Sequence, residues 1–161
     1  MTPESTIEVT MPSDREIRVS RVFDAPGRLV FDAHTKPELL KRWAYGPDDW
    51  PMVTCEIDLR VGGKLRYIWR NVKAGDMVLN GVYKEIVAPE RIVHTEIFEE
   101  DWTDGETLVT TRFDEHDGRT TVTSTVLYSS EKARDAALAT PMLEGWEQSY
   151  ERLDMLLESM E

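Results

Sequence analysis

Residues 140–157 read TPMLEGWEQSYERLDMLL, and this stretch decides the fold. Met142, Trp146, Tyr150 (with Ser149), Leu153 and Leu157 recur every three or four residues, the apolar stripe of one helix nearly 20 residues long. Thr140 and Pro141 are read as its N-cap and first-turn proline. Everything between Val53 and Tyr128 has the period of strands instead. Val53, Cys55, Ile57 and Leu59 alternate, Gly62-Gly63 reads as a tight turn, and Leu65, Tyr67 and Trp69 follow. Further strands are expected over residues 79–87, 92–98, 107–113 and 120–128, separated by Ala88-Pro89-Glu90, Asp104-Gly105 and Asp117-Gly118. Links this short leave no room for crossover helices, so the strands form an antiparallel meander.

Upstream, Ile17, Val19, Arg21 and Phe23 mark a first strand over residues 16–23. Asp24-Ala25-Pro26 stops it, and Leu29, Val30 and Ala33 begin a short helix. Thr35 and Glu38 have the spacing of a capping box around Pro37, opening a second short helix through Leu39, Leu40 and Trp43. Residues 131–139 suggest one or two helical turns. The expected fold is α+β: a curved antiparallel sheet of about six or seven strands around a long C-terminal helix, with two short helices after the first strand. Residues 1–14 are read as a loose tail contributing at most a short edge strand, and residues 15–161 as one domain.

Composition narrows the function classes. There are 31 acidic and 19 basic residues, a net charge of −12, and no basic cluster to offset it. Such a field repels nucleic acid and anionic membrane surfaces. No apolar run approaches the roughly 18 residues of a membrane span, and the N-terminus lacks a secretion signal. With one cysteine, Cys55, no internal disulfide can form, so a cytoplasmic location is expected.

A twisted sheet with only one long helix to cover it need not close fully, and the remaining space is a candidate cavity. Gly145, inside the helical stretch and beside the buried stripe, allows either tight helix–sheet packing or room for a bound molecule.

Five segments in order carry a resemblance: DAPGRLVFDAHTKPELLKRW (24–43), CEIDLRVGGKLRYIWRN (55–71), NGVYKEIVAPERIVHTE (80–96), DGRTTVTSTV (117–126) and EGWEQSYERLDMLL (144–157). Together they resemble the activator-of-heat-shock-protein-ATPase homologues, a branch of the START-like (SRPBCC, birch pollen allergen) superfamily. The resemblance implies a helix-grip fold, β-α-α-β-β-β-β-β-β-α, with a cavity between sheet and C-terminal helix. Superfamily relatives bind lipids, hormones and polyketides, and a minority are enzymes. The eukaryotic activator carries an additional co-chaperone domain for which this chain has no space, which argues against a chaperone-activating role.

The candidate cavity-lining residues are Trp43, Tyr67, Trp69, Tyr83, His94, Glu96, Met142, Trp146 and Tyr150. Aromatic walls with a few polar tips suit a small-molecule pocket, although the same residues could simply fill the core. His94 and Glu96, two apart on one strand face, could act as acid and base or orient a ligand; alternation alone leaves open which face is inward. Arg112 could reach the same region or its opposite side. Trp50 and Trp102 fall in loops suited to a lid or a self-association surface. His34, His94 and His116 are scattered, so no metal site is expected. The acidic stretch 96–106 lacks a calcium-loop pattern and reads as a solvated hairpin tip. Cys55 reads as buried and unreactive.

The sequence therefore supports binding of a small, largely hydrophobic ligand better than catalysis, with no cofactor. The alternatives are a cyclase- or hydrolase-type enzyme using His94 and Glu96, or a stress-related domain in contact with a chaperone or a second copy of itself.

Overall fold

A computed structural model describes residues 7–100 and 105–160. In chain order the elements are β1 (Glu8–Thr10), β2 (Glu16–Phe23), α1 (Gly27–Thr35), α2 (Pro37–Leu40), β3 (Met52–Ile57), β4 (Lys64–Asn71), β5 (Gly75–Val87), β6 (Arg91–Phe98), β7 (Thr107–His116), β8 (Arg119–Leu127), α3 (Glu131–Leu138) and α4 (Met142–Met160). All strands join one antiparallel sheet in the order β1-β2-β8-β7-β6-β5-β4-β3. The architecture is the helix-grip-like α+β arrangement expected, with eight strands rather than six or seven. The additional strand is β1, which lies in the stretch read as a tail and pairs with β2 through Val9 and Val19.

Several local readings are realised and others corrected. Asp117 and Gly118 both adopt positive φ, 52° and 78°, and are the only residues between β7 and β8. That is the two-residue hairpin turn whose twist suits a right-handed ladder. Gly62-Gly63, in contrast, does not make a two-residue turn. The β3–β4 loop covers residues 58–63, and Gly63 is drawn to β5, where its carbonyl accepts from the Tyr83 N–H at 2.9 Å. Leu59 consequently leaves the strand and is exposed. The capping box does not form either. Thr35 turns back to donate to Phe31 O at 2.9 Å, and Lys36 stands at the N-cap of α2 without a side-chain cap. Thr140 likewise bonds back to Ala137 O at 2.6 Å rather than capping α4.

The core lies between the sheet and the helices. Ile17, Val19, Phe23, Val122 and Leu153 are fully buried. They are the alternate positions of β2 and β8 and the stripe of α4, so burial follows period two and period 3.6 as the sequence dictates. Arg21 also points to α4. Its guanidinium donates to Tyr150 O at 2.9 Å and pairs with Asp154. Among the described residues, no helix is long and apolar enough to cross a membrane.

Candidate functional site

Register decides which face of β6 is inward. His94 stands opposite Tyr83 on β5 and Val109 on β7, and Val109 in turn opposite Val126 on β8. Tyr83, Val109 and Val126 are all buried in the core. Directly paired residues point to the same face, so His94 and Glu96 face α4. Arg112 pairs with Arg91 and Thr123 on the outer face and takes no part in this region.

The inward face of β3–β6 gathers a cluster around Glu96. His94 Nε2 lies 2.9 Å from Glu96 Oε2. A carboxylate only accepts, so Nε2 carries a proton and donates it. That Nδ1 is buried and has no hydrogen-bond partner among the described residues. The phenols of Tyr67 and Tyr83 lie close enough to influence each other. Burial pushes both phenols well up, with the Glu96 charge adding to the effect. Tyr128 is pushed up to about 12 by burial and by the same carboxylate. All three phenols are neutral at pH 7 and can donate. Burial also pushes the Cys55 thiol, opposite Tyr67 on β3, up to about 12. Cys55 is half-buried rather than fully buried.

Aromatic side chains surround this polar group. Trp69 packs against Tyr67 at 5.9 Å and Phe98 at 6.2 Å, and its indole N–H donates to Ala44 O at 2.9 Å. From α4, Trp146 reaches Tyr150 at 6.3 Å and Met142 takes a hydrogen bond from the Tyr128 hydroxyl at 3.7 Å. Trp43 and Tyr150, two further expected lining residues, are buried and pack on each other, and Trp43 Nε1 donates to Ala33 O.

His34 belongs to the same interior, although no spacing along the chain joins it to His94. Its Nδ1–H donates to Val30 O at 2.8 Å, and its ring packs edge-on against Trp43 and Phe113. Burial lowers its pKa to about 4, with His94 close enough to contribute, so it is neutral at pH 7. The available signal was helical period: His34 follows Val30 by four residues on the buried side of α1. Tyr128 was legible in the same way, as the next inward position after Val122, Ser124 and Val126 on β8.

A strap between α2 and β3 crosses α4 beside this region. Arg152 donates to Tyr45 O at 2.6 Å and Gly46 O at 2.9 Å, pairs with Asp48 and covers the Tyr45 ring at 3.8 Å. Gly46 and Gly145 meet backbone to backbone; a Cβ on Gly46 would lie 3.1 Å from Gly145 Cα. The place beside Gly145 is therefore taken by the strap, neither by the sheet nor by open space. Trp50 sits half-buried in the same strap, whereas Trp102 lies outside the described residues.

On the opposite side of the sheet, a cleft of about 740 Å³ opens over Glu56, Lys64, Arg66, Asn80, Thr95 and Ile97. Arg66, Asn80 and Glu99 bond to one another along it. It is an open saddle on the outer face, whose walls also include Leu65 and Val82. No group of three or more His, Cys, Asp or Glu able to hold a metal occurs among the described residues.

The family described as Activator of Hsp90 ATPase homolog 1-like protein matches residues 24–158. The chain belongs to this family. Among solved structures, this Activator of Hsp90 ATPase homolog 1-like chain is similar to a Rhodobacter sphaeroides protein at 31% identity and a TM-score of 0.90. That match covers 96% of this chain and 99% of the other. A Staphylococcus epidermidis protein is 28% identical with a TM-score of 0.78, covering 97% and 95%. A Nitrosomonas europaea protein at 20% identity and a TM-score of 0.82, covering 93% and 98%, shares the fold. No curated protein matches the chain significantly.

Proposed function

We propose that the chain binds a small, largely hydrophobic molecule between β3–β6 and α4. One observation carries this reading. His34 and Tyr67 lie on the inward side, yet both keep accessible surface. Trp69, His94, Glu96, Phe98, Met142 and Trp146 are likewise only partly covered although they face inward. Apolar and aromatic walls with a few convergent polar groups are what a small-molecule site requires. The outer cleft lacks the aromatic component and is open to water.

Titration with 1-anilinonaphthalene-8-sulfonate and a panel of uncharged aromatic compounds tests the proposal. Binding should quench tryptophan emission through Trp69 and Trp146 and raise the melting temperature. A panel in which no compound does either would remove it.

The His94–Glu96 contact favours a second reading, acid–base catalysis on the bound molecule. His94→Asn would then abolish turnover of the cognate substrate while leaving binding and melting temperature intact. Loss of binding together with turnover would assign His94 to ligand positioning instead.

A further inference from the structure

Residues 45–50 of the strap are tied to both layers between which the chamber lies. On the sheet side, Trp69 donates its indole N–H to Ala44 O at 2.9 Å, and Asn71 Nδ2 donates to Asp49 O at 3.0 Å. On the helix side, Gly46 rests on Gly145, and Arg152 donates to Tyr45 O and Gly46 O. Trp69 and Trp146, the neighbour of Gly145, are partly covered residues of β4 and α4. The strap therefore bridges the β3–β4 side of the sheet and α4, beside two walls of the proposed chamber.

Its attachment differs from that of its surroundings. Among the described residues, the main-chain bonds donated by residues 45–50 are local: Tyr45 N–H to Trp43 O and Trp50 N–H to Pro47 O. None runs to a strand or to α4, and side chains make the connections instead. Segments held without a backbone ladder open at lower free energy than the core does. The Gly46–Gly145 seat is backbone on backbone, with no side chain to be drawn from a socket. Pro47, Asp48 and Asp49 already lie exposed. Against this loose background Arg152 stands out. Besides holding two carbonyls, it pairs with Asp48 and covers the Tyr45 ring at 3.8 Å. One guanidinium thus makes the polar attachment of the strap to α4.

Resting on the proposed chamber, we propose that this strap is its door and Arg152 the latch. Release of Tyr45 O and Gly46 O lets residues 45–50 lift from α4 and admits an apolar molecule between α4 and β3–β4. The latch is made in the empty and in the filled chamber alike. Arg152 therefore sets how fast a ligand enters and leaves, and not how tightly it is held.

Stopped-flow quenching of tryptophan emission by 2-naphthol, with the full chain at pH 7, reads both rate constants. Two charge-assisted hydrogen bonds weight the closed strap by at least about tenfold. Arg152→Ala should accordingly raise the association and dissociation rate constants together by at least about tenfold and leave Kd within about threefold. Asp48→Ala removes a carboxylate that is 98% exposed, so the fold is untouched, and should raise both rates by about two- to threefold. Rates equal to wild type in both variants overturn the door while leaving the chamber intact. So does an Arg152→Ala protein whose Kd weakens at least about tenfold at an unchanged association rate, which would make Arg152 part of the wall. Wild-type protein that binds no 2-naphthol removes the chamber and the door together.

Discussion

Gly145 and Gly46 make a pair of substitutions with opposite expected signs. Glycine inside a helix costs about 1 kcal/mol relative to alanine, so Gly145→Ala should recover most of that if its methyl fits. A Cβ built there lies 3.5 Å from Gly46 Cα, an ordinary contact. Gly145→Ala should therefore stabilise the protein by about 0.5–1 kcal/mol, a rise in melting temperature of roughly 1–4 °C for a chain of this size. The reciprocal change behaves differently. A Cβ on Gly46 would stand 3.1 Å from Gly145 Cα, and helix backbone cannot move aside as a flexible side chain would. Overpacking of this kind costs about 1–3 kcal/mol. The double variant sets two methyl groups against each other and should lose at least about 0.5 kcal/mol more than the sum of the single effects. Urea titrations and calorimetry of the four proteins close the cycle. A destabilised Gly145→Ala protein, a neutral Gly46→Ala protein or strict additivity would refute the backbone-to-backbone seating of the strap on α4.

Four further outcomes follow from other contacts. Arg21→Met removes a buried guanidinium from Tyr150 O and Asp154; the Asp154 side chain is 40% exposed, which moderates the loss to about 2–4 kcal/mol, read by urea denaturation. Arg152→Ala frees Tyr45 O and Gly46 O and should cost about 2 kcal/mol, with faster hydrogen exchange confined to the strap if the latch is local. His34 is a base whose folded pKa, about 4, lies below its unfolded 6.5, so the unfolded chain binds more protons between those values. Stability contributed by neutral His34 is full above pH 6.5 and falls as pH drops toward 4, by about 3 kcal/mol; a pH series on His34→Asn should show a flatter slope in that window. Cys55, with its thiol pushed up to about 12, should react with iodoacetamide at pH 8 at less than about one-tenth the rate of a free thiol; rapid modification of folded protein would contradict that environment.

The fold was legible because two periods meet in the chain without ambiguity. Strict alternation from Val53 to Tyr128 allows only strands, and the Met142–Leu157 stripe allows only a helix. Details set by three-dimensional competition were not. Thr35 had a capping-box partner in Glu38, yet the Phe31 carbonyl one turn back is a nearer acceptor. Gly62-Gly63 has the letters of a hairpin turn, but its hydrogen bonds are made with Tyr83 on a strand that begins twelve residues later. The polar site was half legible. Spacing two apart placed His94 and Glu96 on one face, while choosing the face required the register with Tyr83 and Val109. Helical period put His34 on the buried side of α1, but its approach to His94 arises from the packing of α1 on the sheet, and no sequence spacing encodes that approach. Trp43 and Tyr150 were read as walls because aromatic type and helical period are the same for a wall and for a core filler.

Nuclear magnetic resonance with 2-naphthol locates directly where a small aromatic molecule enters. The prediction is that the imidazole signals of His34 and His94 and the indole signals of Trp69 and Trp146 shift together and saturate, while amides of Lys64, Arg66 and Thr95 stay in place. Shifts confined to those outer-face amides, with the four ring systems unmoved, would put the ligand on the wrong side of the sheet and contradict the chamber.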